Sequence, residues 1–191
     1  MKMQYKHDME NLKKLAQNHN IDEIYLTGFM DIEDGEAEFY PDFRCIYFEI
    51  NSGYIEFESV CNFSKLRLRI VDFVQYKFEV DEDMMPAKSK VGDMILRDSM
   101  ANGNDINEII FYNLDESDEL ICDAAEIRLV NGQVLFLDPS YYWGINLGGA
   151  DGLEQREIWK MNLREPENVH EMSLKISADS MESEKNGRKI L

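Results

Sequence analysis

Histidine and cysteine, which carry much of protein catalysis and metal binding, are scarce in this sequence of 191 residues, with three of each. His7, His19 and His170 lie far apart, and none stands beside a carboxylate at the spacing of a metal or triad site. The cysteines are odd in number and include no C-x-x-C pair, so they match neither a zinc site nor a disulfide framework. We therefore expect surface histidines, buried apolar roles for Cys45 and Cys122, and no catalytic residue, metal or cofactor.

The sequence also lacks a complete ligand-binding loop. Residues 31–36 resemble the start of an EF-hand loop, but Gly35 stands at position five and Glu36 at position six, where that loop needs glycine. The glycines between residues 144 and 152 lack the Gly-Lys-Ser/Thr of a phosphate loop, and we interpret them as a connection between strands.

Positive charge is in short supply, because 20 Lys and Arg stand against 38 Asp and Glu, for a formal net charge of −18. Nucleic acids and anionic membranes are bound through Lys and Arg, so this balance argues against both partners. The acidic excess fits either general solubility or a surface that attracts a basic protein. No apolar run reaches the roughly 18 residues of a membrane helix, and the N-terminus lacks the apolar stretch of a signal peptide. We therefore expect a cytoplasmic protein.

Hydrophobic periodicity predicts a helix at the N-terminus and strands along most of the remaining chain. Asp8 is a candidate N-cap for that helix, and a second, short helix is predicted within residues 91–98. Elsewhere apolar and polar residues alternate, which is typical of half-exposed antiparallel strands. The predicted class is α+β, an antiparallel β-sheet of meanders and hairpins with an N-terminal helix and one short middle helix. The apolar stripe of the first helix consists of Tyr5, Met9, Leu12 and Ala16.

Turn residues divide the strands into hairpins. Asp34-Gly35 and Asn131-Gly132 predict tight turns, and Gly53 is expected in the left-handed region at the end of a three-residue loop. Pro139 is expected to end a strand. We assign residues 1–165 to a single α+β domain and residues 166–191 to a polar C-terminal segment that frays from Ser180 onward. The predicted strands are residues 24–30, 46–50, 54–58, 66–70, 73–80, 106–114, 125–130, 133–137, 141–147, 155–163 and, at an edge, 172–176.

Two sets of side chains are candidates for a binding surface. The first set is acidic and the second is aromatic. The aromatic residues either form a stacking surface for a ligand or pair across strands in the core. The first set consists of carboxylates expected to be exposed on strands and acidic turns and to bind a basic partner: Asp31, Glu33, Asp34, Glu36, Glu38, Glu56, Glu58, Glu79, Asp81, Glu82, Asp83, Asp115, Glu116, Asp118 and Glu119. The second set consists of Tyr141, Tyr142, Trp143 and Trp159.

This profile of a small, acidic α+β chain without a catalytic constellation resembles, at the level of the class, the immunity proteins that bacteria make against their polymorphic or contact-dependent toxins. The resemblance implies a one-to-one complex with a basic toxin domain. Two other functions remain open at this point. One is a small-molecule-binding or enzymatic β-sheet domain with an aromatic pocket, and the other is a structural or assembly module whose edge strands pair with another chain.

Overall fold

The computed structural model describes residues 4–82, 84–97 and 103–176. In chain order its elements are α1 (Gln4–Ala16), β1 (Glu23–Glu33), β2 (Glu36–Ile50), β3 (Gly53–Val60), β4 (Lys65–Val71), β5 (Met84–Lys90), α2 (Gly92–Ile95), β6 (Ile106–Tyr112), β7 (Leu120–Cys122), β8 (Ala124–Leu129), β9 (Val134–Tyr141), β10 (Gly144–Gly148), α3 (Gly152–Asn162), a 3₁₀ turn (Pro166–Asn168) and β11 (Glu171–Lys175).

All strand pairs of the two sheets are antiparallel. Sheet I has six strands in the order β5-β1-β2-β3-β4-β7, and sheet II has five in the order β10-β9-β8-β6-β11. The predicted α+β class, with its hairpins, N-terminal helix and short middle helix, is confirmed. The predicted edge strand near the C-terminus is present as β11, and Ile176 after it is buried in the core. The tail from Ser180 onward lies outside the described residues.

The two sheets pack face to face around one hydrophobic core, because every second residue of their central strands is apolar and points inward. Phe48 and Phe57 of sheet I have ring centroids 4.9 Å apart and are fully buried, as is Ile127 of sheet II. Helix α1 begins at Gln4, so Asp8 lies inside it and the N-cap prediction is wrong. The helix places most of its predicted stripe in the core, namely Met9, Leu12 and Ala16, while the side chain of Tyr5 lies outside the described part.

The outer face of each sheet is covered by a segment predicted to be a strand, and both predictions are wrong. Residues 155–162 belong to α3, and Leu163 is its C-cap. Trp159 of this helix packs on the outer face of sheet II, because the buried positions recur at helical spacing. Residues 73–80 form no strand and lie within residues 72–82, which we call the covering segment. Lys77 attaches this segment to sheet I through side-chain ion pairs with Glu56 and Glu58, and the segment adds no strand to the sheet.

Three turns differ from the prediction or refine it. In the β2–β3 hairpin Ile50 pairs with Gly53, so the loop has two residues and Asn51, at φ +56°, takes the left-handed conformation expected of Gly53. Pro139 does not end its strand, because β9 continues to Tyr141 through a register shift against β10 that tolerates a missing N–H donor. The predicted strand over residues 141–147 is instead a turn followed by β10.

Candidate functional site

The β1–β2 hairpin extends beyond the rest of sheet I. Residues 45–50 of β2 pair with β3, whereas residues 36–42 pair with β1 alone among the described strands. Strand β5 flanks β1 on the other side, with Met84 opposite Asp31. The hairpin turns at Asp34 and Gly35, both at positive φ as predicted for this turn. These three strand segments, together with residues 79–82 just before β5, form a projection that we call the acidic arm.

The acidic arm gathers carboxylates from two distant parts of the sequence. Strand β5 starts opposite Asp31, and Met84 N–H donates to the Asp81 carbonyl oxygen at 3.0 Å, so the acidic corner before β5 lies beside the hairpin. Within the described ranges, none of the carboxylates on the acidic arm, which are named at the end of this paragraph, forms an ion pair with Lys or Arg. Asp83 lies outside those ranges. The arm carboxylates are Asp31, Glu33, Asp34, Glu36, Glu38, Glu79, Asp81 and Glu82.

Glu56 and Glu58 are not exposed carboxylates, and that prediction is wrong. The Glu56 side chain is fully buried under the covering segment, and its carboxylate receives Tyr47 Oη at 2.7 Å, Arg69 Nη2 at 2.6 Å and Lys77 Nζ at 2.8 Å. Lys77 Nζ also contacts Glu58 at 2.6 Å. Burial alone would raise the pKa of Glu56, but hydrogen bonds from Lys77, Tyr47 and Arg69 outweigh it and lower that pKa. Both carboxylates therefore hold the fold together.

The remaining predicted carboxylates, Asp115, Glu116, Asp118 and Glu119, lie near the opposite edge of sheet I. Five strand spacings of about 4.8 Å separate β5 from β7, which is about 24 Å. Two of these carboxylates are already paired, Asp115 with Lys65 at 2.8 Å and Glu119 with Arg67 at 3.2 Å. The predicted acidic set thus divides into an unpaired group on the arm, a buried group and a distant, partly neutralised group.

The predicted aromatic set also divides. Trp159 is 5% exposed and packs against Tyr112 and Phe136, with ring centroids 5.2 and 5.7 Å away. Of the two predicted alternatives for the aromatic set, Trp159 therefore takes the core position. Tyr142 and Trp143 instead form the two-residue turn between β9 and β10, with 78% and 64% of their surfaces exposed. Asn and Gly usually occupy such turns, so two large exposed rings there make the turn a candidate binding surface.

Tyr142 and Trp143 form one wall of a groove of about 530 Å³ beside the acidic arm. Their rings meet edge to face at 4.7 Å. On the arm, Phe29 and Tyr40 stack at 5.3 Å with their planes 14° apart. Tyr141 does not line this groove with Tyr142 and Trp143; it lines a separate apolar pocket of about 200 Å³. The rings of the groove, which we call the aromatic groove, belong to Phe29, Tyr40, Phe43, Phe63, Phe78, Tyr142 and Trp143.

Glycine at position 144 allows the aromatic turn to lie close to strand β2. Gly144 has φ +128°, and a Cβ there would lie 2.4 Å from the carbonyl carbon and oxygen of Phe43. Only glycine combines this φ with so close a backbone contact. The sequence patterns did not identify five rings of the groove as site residues, although Phe29 and Met30 are adjacent apolar residues that break the strand alternation. These rings belong to Phe29, Tyr40, Phe43, Phe63 and Phe78.

The charged groups at the aromatic groove leave its rim negative. Arg44 donates to both carboxylate oxygens of Asp42 at 2.8 and 2.9 Å, and this hydrogen bonding raises the pKa of Arg44. Tyr40 Oη donates to Glu38 Oε2 at 2.7 Å, which raises the pKa of Tyr40. Glu79 lines the groove without an ion pair to any described residue. A ligand therefore meets aromatic rings together with Glu79 and, next to Tyr40, Glu38, two carboxylates that form no ion pair with a described residue.

The described residues hold no group of three or more His, Cys, Asp or Glu arranged to bind a metal ion. No helix among them is long and apolar enough to cross a membrane. Cys45 and Cys122 are buried as predicted, and Cys61 is exposed. No protein-family model, no curated protein and no solved structure matches this chain.

Proposed function

We propose that this chain is an immunity protein that binds a basic bacterial toxin domain in the cytoplasm and neutralises it. The acidic arm is its first point of contact, and the observation that carries the proposal is the clustering of unpaired carboxylates beside exposed aromatic rings. Interfaces draw their binding energy from a few buried Tyr, Trp and Arg side chains, while surrounding charges guide the encounter. The arm and the aromatic groove together offer both features.

The distribution of charge supports electrostatic attraction of a basic partner. Carboxylates on the two sheets are held by cations, as Glu56 is by Arg69 and Glu126 is by Arg128 and Arg156. The arm carboxylates form no such ion pairs with described residues, so they present a negative field that no ion pair neutralises. Such a field raises association rates by roughly 10- to 1,000-fold at low salt.

The edges of the acidic arm do not favour the assembly alternative, in which strands pair with another chain. Pro86 lies in β5, at the edge of sheet I, and Pro41 lies in the part of β2 that has one strand partner. Proline cannot donate to a strand ladder, and edge lysines such as Lys88 and Lys90 also discourage pairing. The faces of the arm, rather than its edges, are therefore available to a partner.

Association kinetics test the proposal. The proposal expects a basic toxin domain to be encoded by a neighbouring gene, and a neighbourhood without one would count against it. That toxin domain is the probe, and its association rate is measured by stopped-flow fluorescence at about 20, 100 and 300 mM salt, a range over which screening grows. We expect the association rate to fall steeply as the salt concentration rises. At low salt we expect the rate to be about tenfold lower for a variant with three substitutions on the arm, the arm variant. The arm variant is Glu33→Gln, Glu36→Gln and Glu82→Gln; the control with the same change in charge is Glu116→Gln, Asp118→Asn and Glu167→Gln.

The control should associate within about twofold of the wild type, because its substitutions lie away from the arm. Equal rates for the arm variant and the control, or rates that do not change with salt, would show that the arm does not guide association. Absence of binding to the toxin domain would overturn the immunity function itself.

A further inference from the structure

We propose that the aromatic groove is a binding site for an arginine side chain presented by an extended segment of the partner. The identity of that partner rests on the proposed function, whereas the chemistry of the site rests on the groove alone. The groove is open, and exposed rings form two of its walls. The stacked Phe29 and Tyr40 rings and the Tyr142–Trp143 turn both line it.

The charges at the groove select a cation. Glu79 lines it, and Glu38 lies at its margin through the hydrogen bond from Tyr40. Arg44 is the basic residue among those that line the groove, and both of its bonds at 2.8 and 2.9 Å go to Asp42. An apolar segment would bury these carboxylates without hydrogen-bond donors, which is costly. A cationic side chain would instead pair with them.

Among cations, the rings favour arginine over lysine. A guanidinium is planar, stacks on aromatic faces and still directs its N–H groups at a carboxylate in the same plane. An ammonium is compact and strongly hydrated, so it gains less between two aromatic walls. The parallel Phe29 and Tyr40 rings, with a carboxylate hydrogen-bonded to the Tyr40 hydroxyl, match this combination of stacking and pairing.

The groove is fixed before any ligand arrives. Its Phe78 and Glu79 belong to the covering segment, which Lys77 ties to the buried Glu56 at 2.8 Å. Phe78 also contacts Phe29 edge to face at 6.4 Å. On the opposite wall, the close contact at Gly144 holds the aromatic turn against β2. A rigid site loses little conformational entropy on binding, which favours recognition of a single side chain.

Labelled peptides test the site without the toxin. The probe is a nine-residue Gly/Ser peptide with three arginines and a terminal fluorescein, and its affinity for the full chain is read from anisotropy. Matched peptides carry lysine or citrulline in place of arginine; citrulline keeps the shape and removes the charge. We expect the arginine peptide to bind at least about fivefold more tightly than the lysine peptide and the citrulline peptide to bind more weakly still.

Substitutions in the aromatic turn locate the binding. Tyr142→Ser and Trp143→Ser change exposed side chains and should each weaken the arginine peptide by about fivefold or more. Val130→Ser is the control, because Val130 is another exposed apolar residue beside a hairpin turn, and it should leave binding unchanged. Far-ultraviolet circular dichroism checks that all three variants stay folded.

Equal binding of the arginine and citrulline peptides, or unchanged binding in both aromatic variants, would overturn the arginine site. The toxin experiment separates this failure from failure of the proposed function. If the arm variant slows toxin association while Trp143→Ser leaves the affinity for toxin unchanged, the immunity function stands and the arginine site falls. If the peptide preference holds and no toxin is bound, the site stands and the immunity function falls.

Discussion

Replacing the buried Glu56 by glutamine should release the covering segment and destabilise the protein. Glu56 Oε1 receives Arg69 Nη2 at 2.6 Å and Lys77 Nζ at 2.8 Å, and Oε2 receives the Tyr47 hydroxyl at 2.7 Å. Removing one member of a buried ion-pair cluster typically costs about 3–5 kcal/mol, since the remaining charges lose their partner. Glu58 still contacts both cations, so we expect about 3 kcal/mol, near the lower end.

Urea unfolding followed by circular dichroism measures this loss. With a typical m value of about 2 kcal/mol/M, a loss of about 3 kcal/mol lowers the urea midpoint by about 1.5 M. Glu116→Gln is the matched control, because Glu116 is exposed and unpaired among the described residues, and its midpoint should correspond to a change within about 0.5 kcal/mol. Glu56→Gln with the midpoint of the wild type would refute the conclusion that this carboxylate holds the segment in place.

Three further predictions concern stability at acid pH, the aromatic turn and the reactivity of the cysteines. The folded-state pKa of Glu56 lies below its ordinary 4.5, so its charge stabilises the protein fully above about pH 4.5. This stabilisation is lost as the pH falls through the lowered pKa. Urea midpoints measured from pH 6 to 3 should therefore fall less for Glu56→Gln than for the wild type. Gly144→Ala should cost at least about 2 kcal/mol in urea unfolding, more than Gly132→Ala, which has a positive φ but open space around it; equal losses would show that the close contact is relaxed. A thiol reagent such as Ellman's should label Cys61 first, because burial raises the pKa of Cys45 to about 12, and rapid labelling of all three cysteines in the native protein would contradict the buried positions.

Local patterns in the sequence were sufficient for two of the hairpin turns and for the apolar faces of several strands. Asp34-Gly35 and Asn131-Gly132 specify turns through their backbone preferences alone, β8 follows from alternating apolar residues, and β6 follows from the apolar run over residues 109–112. Residues 73–80 alternate in the same way as β8 but form no strand; side chains connect them to sheet I, where Lys77 has its ion-pair partners. Those partners, Glu56 and Glu58, are distant in sequence, and no local pattern reports them.

The candidate site was predictable in composition and not in arrangement. Acidic residues on the β1–β2 turn and before β5 could be named from the sequence, but their meeting depends on the pairing of Asp31 with Met84. Trp143 and Trp159 looked equivalent in sequence, yet one lies on a turn and the other in a helix that packs on sheet II. The groove joins sheet I to a turn of sheet II, a contact that only the complete fold determines.

The two sheets cover their outer faces by the same means. Each buries a glutamate that accepts a tyrosine hydroxyl, Glu56 from Tyr47 at 2.7 Å and Glu126 from Tyr112 at 2.9 Å. Each glutamate also binds a cation from the covering element, Lys77 on sheet I and Arg156 of α3 on sheet II. Both clusters fix a segment on a sheet face, but they differ in what that segment carries.

This difference predicts separate effects for the two substitutions. Glu126→Gln should loosen α3 and shift the emission of the buried Trp159 to longer wavelength, and it should leave binding of the arginine peptide within about twofold, since no part of α3 lines the aromatic groove. Glu56→Gln should weaken the peptide by more, because Phe78 and Glu79 stand in the segment that it releases. Peptide binding to both variants is measured under conditions below the onset of urea unfolding. Equal weakening of peptide binding by both substitutions would mean that binding reports general stability rather than the position of the covering segment.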